Sequence, residues 1–252
     1  MPEASAAAEV VLSPGVRELL VLSDSGNHGA AMAWRIPSGG QRSLTLPLDE
    51  AASDDIEGAA WRGGHLYTLT SSGAVRRFSP DGRVGLARDQ DAYPIAAPPR
   101  VCDDLRAGNC GFDYEGLCLR SEGPAHAAER CVGYAASRAH GTLQCLVFDH
   151  DRIVIDTAVR PLKLDVPRKA LSDCAFGAAG GPAADRLLVT TNVFGGSTTY
   201  EVGESDGALT PIGVMGTLSN EVVAVDKDGA LYLFMDDNGP RSFARRLTCS
   251  GW

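Results

Sequence analysis

Residues 54–82 read DDIEGAAWRGGHLYTLTSSGAVRRFSPDG, and residues 112–119 read FDYEGLCL. Each stretch sets an acidic residue, Glu57 or Glu115, and then a glycine at the head of an apolar run. In the longer stretch that run is followed by HLYTLT, the turn TSSG, AVRRFS and the turn SPDG. Val, Leu, Tyr and Thr in short runs between Gly/Asp/Ser turns predict antiparallel strands.

The same pattern recurs in both directions along the chain. Glu115 follows Glu57 by 58 residues (115 − 57). Asp173 in LSDCAFG follows Glu115 by 58 (173 − 115), and Glu221 in SNEVVAV follows Asp173 by 48 (221 − 173). After each acidic residue comes a second strand: HLYTLT, RCVGYAAS, RLLVTTN, ALYLFMD. A polar loop then leads to a third: AVRRFS, LQCLVF, TTYEVG, FARRLT. An earlier unit, RELLVLSDSGNHGAAMAWRIPSGG, carries the second and third strands without an acidic first one. Five units of about 50 residues, each one sheet's worth of strands, predict an all-β chain. The expected fold is a five-bladed β-propeller with four-stranded antiparallel blades.

Residues 1–8 are expected to form a flexible leader, and residues 9–252 a single propeller domain, a monomer. The last unit stops after its third strand. The segment AEVVLS either supplies the missing strand and closes the ring or is the first strand of unit one.

In a propeller the first strand of each blade lines the central channel. Its start shares a face with the loop between strands two and three. Glu57, Glu115, Asp173 and Glu221 are therefore expected to converge on one axis. The loops Ser23–Gly29, Thr70–Gly73, Ser137–Gly141, Thr191–Ser197 and Asp236–Gly239 should ring that opening. Converging carboxylates repel by about 4 kcal/mol per pair at ~4 Å and an effective dielectric of about 20. Shared protons relieve that repulsion, and so does a hard dication; Ca²⁺ takes oxygen ligands of this kind. The alternative is that these acids accept backbone N–H bonds at the blade starts. Asp54, Asp55 and Asp113 are expected in turns or an outer shell. His28 and His140 fall in rim loops as candidate proton carriers, and Arg138 as the one rim arginine able to meet an anionic substrate.

The net charge of −9, with three lysines, excludes a phosphate-backbone partner such as nucleic acid. No run of about 18 apolar residues predicts a transmembrane helix. The opening MPEASAAAEVV lacks the basic and apolar regions of a signal peptide. Seven cysteines suit an oxidising compartment, periplasmic or extracellular. Cys102 and Cys110 are expected to staple a loop. Cys118 and Cys131 are expected on neighbouring strands of one hairpin, and the odd count leaves a thiol over. No P-loop, GxGxxG, GxSxG or HExxH is present.

At LLVLSDSGN, DDIEGAAWRGGHLYTLTSSGAVRRFSPDG and FDYEGLCL the chain resembles secreted bacterial propellers of the esterase-like phytase or SdiA-regulated type. Their repeated signature is D-(L/F/Y)-E-G-(L/I)-A, then G-x-L-Y-x-(V/L)-S. Units one to three match well; in units four and five Glu-Gly becomes Asp173-Cys174 and Glu221-Val222. The resemblance implies a Ca²⁺-stabilised or Ca²⁺-activated propeller, with Glu57, Glu115, Asp173 and Glu221 at the ion and Asp24 beside them. The Lys and Arg that phytate-cleaving members place around the metal are scarce here, so phytate itself is not implied. The five-unit count also resembles calcium-dependent nucleotidases, whose own motifs are missing. Two functions are expected: a Ca²⁺-dependent hydrolase of phosphate or carboxylic esters, or a non-catalytic propeller that binds a ligand or protein and holds a structural cation.

Overall fold

The computed structural model describes residues 3–121, 131–167, 169–178, 180–193, 196–214, 220–235 and 244–248. Their regular structure is all β, arranged in five antiparallel sheets. The first blade is β1 (Ala4–Ser13), β2 (Val16–Ser23), β3 (Ala30–Arg35) and β4 (Gln41–Thr45). The second is β5 (Ile56–Arg62), β6 (His65–Thr70), β7 (Ala74–Pro80) and β8 (Leu86–Pro94). The third is β9 (Tyr114–Leu119), β10 (Gly133–Ser137), β11 (Thr142–Asp149) and β12 (Arg152–Ile155), with the short β13 (Leu162–Lys163) also paired to β11. The fourth is β14 (Leu171–Phe176), β15 (Leu187–Val193), β16 (Gly196–Val202) and β17 (Leu209–Val214). The fifth has three strands among the described residues: β18 (Asn220–Val225), β19 (Ala230–Met235) and β20 (Ala244–Thr248).

The innermost strands close a ring. β1 packs on β5, β5 on β9, β9 on β14, β14 on β18, and β18 back on β1. This is a five-bladed β-propeller. Each inner strand is covered on both faces by neighbouring blades, so it reads as an apolar run and not as an alternation; every residue of β9 is buried. The core lies between blades. Leu20, Leu22 and Ala33 of the first meet Leu66, Phe78 and Leu86 of the second. Leu69 and Val75 of the second meet Leu117, Leu146 and Ile153 of the third.

The Glu-Gly pair of the sequence repeat has a packing cause. A Cβ on Gly58 would lie 2.4 Å from the Leu117 nitrogen, and one on Gly116 2.7 Å from the Cys174 nitrogen. These glycines let the inner strands of successive blades approach backbone to backbone.

One expectation is corrected, one alternative is decided, and the disulfide pairing is fixed. Residues from Ala4 onward are not a flexible leader: Ala4–Ala8 begin β1 and are buried, because small side chains suit the crowded axis. AEVVLS belongs to that strand, so it is the first strand of blade one and does not complete blade five. Cys118 does not pair with Cys131. Cys118 bonds Cys174, tying β9 to β14, and Cys131 bonds Cys145 within blade three. Cys118 lies on β9 and Cys131 directly before β10 of the same hairpin, as expected, but Cys131 reaches β11 while Cys118 points at the next blade. The Cys102–Cys110 loop staple is present, and Cys249 lies outside the described residues. Three disulfides fit a non-cytoplasmic compartment. No described helix is long and apolar enough to cross a membrane.

Candidate metal centre at the channel mouth

Every inner strand carries a register shift near its start. In β5 the pairing passes from Ile56↔Thr70 to Gly58↔Leu69, leaving Glu57 unpaired. The residues skipped in the same way are Ser5 in β1, Glu115 in β9, Ser172 in β14 and Glu221 in β18. A β-bulge re-aims the side chain of its extra residue. The fivefold repeat of this bulge brings Glu57, Glu115 and Glu221 into mutual electrostatic contact at one end of the channel.

The register also moves one predicted position. The counterpart of Glu57 in blade four is Ser172, and Asp173 occupies the place of Gly58 and Gly116. Asp173 is 3% exposed and does not join the acidic group. Its Oδ2 accepts from the Val223 N–H at 2.8 Å, and its Oδ1 from the Cys174 N–H at 2.7 Å. Burial raises its pKa well above the usual carboxylate range, against the pull of those two N–H bonds. Where two blades use glycine for close approach, blade four uses a carboxylate to stitch β14 to β18. The Ser172 hydroxyl bonds the Thr190 carbonyl at 3.2 Å.

Asp24 and Asp55 complete the cluster. Carboxylate oxygens of Asp24, Asp55 and Glu57 all lie within 4.8 Å of one another. Asp24 opens the loop after β2, and Asp55 immediately precedes β5. Burial pushes the Glu57 carboxyl well above its ordinary range, and Glu115, Asp24, Asp55 and Glu221 push it further. Burial likewise raises Asp55, which the Ser71 hydroxyl opposes and a hydrogen bond shared with Asp24 reinforces. Glu115, 6% exposed, is pushed up to about 9, chiefly by burial. Arg138 opposes that shift, while Asp113, Glu221 and Asp55 add to it.

Arg138 is the cation of the mouth. From the loop after β10, its Nη1 lies 3.0 Å from Glu115 Oε1, its Nε donates to Asp113 Oδ2 at 3.0 Å, and its Nη2 to Asn109 Oδ1 at 3.2 Å. The end of β15 also reaches in: Asn192 Nδ2 donates to Glu221 Oε1 at 3.2 Å.

The two rim histidines are placed differently. His28 is exposed, its side chain 91% accessible; its N–H donates to Asp54 Oδ2 at 2.9 Å, and its Nδ1 lies 3.5 Å from the same oxygen. Asp54 also accepts from the Gly26 N–H at 3.1 Å and so pins the loop after β2. His140 stacks on Phe112 with ring centroids 4.2 Å apart, its Nδ1 3.3 Å from Ser137 Oγ. Asp54 and Asp113 thus hold loops and an arginine, as expected for outer groups, but Asp55 is part of the cluster itself.

Sequence reasoning missed the strap between β8 and β9. The Cys102–Cys110 staple folds it over the mouth, where a Cβ on Gly108 would meet Asp55 Oδ2 at 2.7 Å. Asn109 donates its N–H to Ser71 Oγ at 3.0 Å and accepts from Arg138. Asn109 is therefore the one strap residue that bridges the acidic and basic sides. The signal available was a stapled Gly/Asn loop directly before the FDYEGLCL strand.

Chemically the donor set fits a hard cation. It is made of closely spaced carboxylate oxygens, with one arginine to balance them. Each ionised pair within this spacing repels by at least about 3 kcal/mol at an effective dielectric of about 20.

No protein-family model matches the chain, and no curated protein matches it in sequence. Solved structures match its fold. A glutaminyl cyclase from Myxococcus xanthus superposes with a TM-score of 0.55 at 15% identity, over 97% of this chain and 90% of that one. A soluble aldose sugar dehydrogenase from Escherichia coli gives 0.53 at 11% identity, over 98% and 96%. A virginiamycin B lyase from Staphylococcus aureus gives 0.48 at 10%, over 97% and 70%. At these identities the likeness is one of fold. The glutaminyl cyclase and the aldose sugar dehydrogenase support the propeller class. The phytase-like resemblance of the repeat finds no counterpart among these matches.

Proposed function

We propose that the channel mouth binds a divalent cation, Ca²⁺ by the hardness of its donors, and that the protein uses it to hydrolyse phosphate or carboxylic esters in the periplasm or outside the cell, as a monomer. The observation that carries this reading is the carboxylate group of Asp24, Asp55 and Glu57, ringed by Glu115 and Glu221. Asp24, Asp55 and Glu57 would hold the ion, and Glu115 and Glu221 would complete the negative collar. When bound, the ion would supply Lewis-acid polarisation of an ester or phosphoryl oxygen. Arg138 would orient an anionic part of the substrate through the second N–H groups of Nη1 and Nη2, beside those directed at Glu115 and Asn109. His28, exposed on the rim and backed by Asp54, would relay a proton, and His140 is the second candidate.

One observation favours a second reading, a non-catalytic ligand-binding propeller with a structural cation. Arg138 already contacts Asp113, Glu115 and Asn109, which suits a scaffold role. The two readings separate on hydrolysis of aryl phosphates and aryl acetates, measured with added Ca²⁺ and with chelator. Turnover that chelator abolishes and Ca²⁺ restores supports the hydrolase. A chelator that lowers the melting temperature, with no turnover on either ester, supports the structural cation and removes the hydrolase.

A further inference from the structure

The channel has a second end, away from the acidic mouth. There a cavity of about 170 Å³ opens among the later residues of the inner strands. Ala7, Ala60, Leu117, Ala175 and Ala224, one from each blade, line it. The mouth residues Asp24, Asp55, Glu57, Glu115, Glu221 and Arg138 do not. Four of those five lining side chains are single methyl groups, so the ring of strands keeps a space on its axis that larger side chains would fill.

The walls of this cavity are aromatic and polarisable. Trp61 and Phe176 stand in them beside the Cys118–Cys174 disulfide. Phe176 is fixed in place by the Arg120 guanidinium, 4.5 Å over its ring, and by Tyr134, stacked on it with centroids 6.2 Å apart. Aromatic rings and sulfur both pack favourably against a further ring.

The rim carries one cation. Lys227 lies in the turn between β18 and β19, which Asp226 Oδ1 fixes by accepting from the Asp228 N–H at 2.9 Å and the Ala230 N–H at 2.8 Å. The Lys227 N–H donates to Glu9 Oε2 at 2.6 Å. The nearby carboxylates are all engaged: Glu9 by Arg17 Nε at 2.5 Å, Asp228 by Arg17 Nη1 at 3.1 Å, and Asp226 Oδ2 by the Tyr232 hydroxyl at 2.9 Å. Lys227 is exposed, and its ammonium has no ion-pair partner among the described residues.

We infer that this cavity binds a small aromatic monocarboxylate, with its ring against Trp61, Phe176 and the disulfide and its carboxylate at Lys227. Volume sets the size, since an apolar cavity of this order holds one benzene ring. The walls set the aromatic character. The single unpaired ammonium sets the charge: it matches one negative charge, and the carboxylates around it repel a dianion such as phosphate. This site is independent of the ion proposed at the mouth.

The test uses the whole protein, without added Ca²⁺, and three one-ring probes: benzoate, benzyl alcohol and benzylamine. Binding is read by calorimetry and by tryptophan fluorescence. Benzoate is expected to bind at least about fivefold more tightly than benzylamine. Lys227→Met, an exposed position whose change leaves the fold intact, is expected to remove most of that preference and to leave benzyl alcohol binding unchanged. Trp61→Phe is expected to abolish the fluorescence change. A crystal soaked in 4-bromobenzoate is expected to show a bromine anomalous peak beside Trp61 and Phe176. No binding of benzoate, or a fluorescence change that survives Trp61→Phe, would overturn the proposal. So would a preference that Lys227→Met leaves unchanged or that Arg138→Met removes, or a bromine peak at the channel mouth.

Discussion

Arg138 Nη1 lies 3.0 Å from Glu115 Oε1, and this contact joins the cation of one loop to the collar of acids on the inner strands. The two residues are 23 positions apart (138 − 115) and come from the start of β9 and the loop after β10 of one blade. Arg138→Met removes the charge that opposes the raised pKa of Glu115. With the arginine side chain 33% exposed, the expected loss is about 1–3 kcal/mol, below the 3–5 of a fully buried pair. Urea unfolding at pH 10, above the value of about 9 to which Glu115 is raised, measures it, and an unchanged midpoint would count against the pairing.

The pH dependence follows from the raised carboxyls. Asp55, Glu57, Glu115 and Asp173 all have folded pKa values above their unfolded ones. Between the two values the native state holds more protons than the unfolded state, so stability falls as pH rises. For Glu115 the window runs from its ordinary 4.5 to about 9. In chelator, the melting temperature is expected to fall steadily from pH 5 to pH 9. Added Ca²⁺ should flatten that slope, because the ion replaces the protons. A melting temperature that rises across this range in chelator would contradict the account.

Asp173 and Glu57 should separate cleanly. Asp173→Ala strands the buried Val223 and Cys174 N–H groups and is expected to cost about 2–4 kcal/mol of stability, with little change in Ca²⁺ affinity of what remains folded. Glu57→Gln is expected to leave stability near or above that of the parent in chelator, while Ca²⁺ affinity falls at least about tenfold, or ~1.4 kcal/mol. Calorimetric titration and thermal melts on both variants check this. Loss of affinity in Asp173→Ala alone would restore Asp173 to the ion.

Much of this was legible in the sequence, and the failures have physical causes. The five repeats, the turn residues and the Glu-Gly heads reported the blades, because each blade repeats one pattern of buried runs and turns. Glu57, Glu115 and Glu221 were legible because each is the extra residue of a bulge at the same place in its strand. Asp173 was misaligned by one residue. A bulge inserts a single position, and the serine that fills it in blade four carries no acidic signal. Asp24 was indicated only by the family resemblance and Asp55 was placed in a turn or outer shell; both come from segments outside the repeated strand, so only the closed ring brings them together. The Cys118–Cys174 bond was hidden for the same reason: its partners face each other across two blades, 56 residues apart.

That disulfide gives a further expectation. Closing a loop of this length restricts the unfolded chain by about 4 kcal/mol on the loop-entropy model. Replacing both cysteines with serine should lower the melting temperature more than the equivalent change at Cys102 and Cys110, which closes a separation of only 8. Equal losses for the two pairs would argue against an inter-blade role.

The most direct measurement is a crystal structure of the protein grown with Ca²⁺, with anomalous data collected at a wavelength where calcium scatters. The expected result is a peak at the channel mouth, about 2.3–2.6 Å from oxygens of Asp24, Asp55 and Glu57. A mouth without a peak, with those three carboxyls held together by shared protons, would contradict the account.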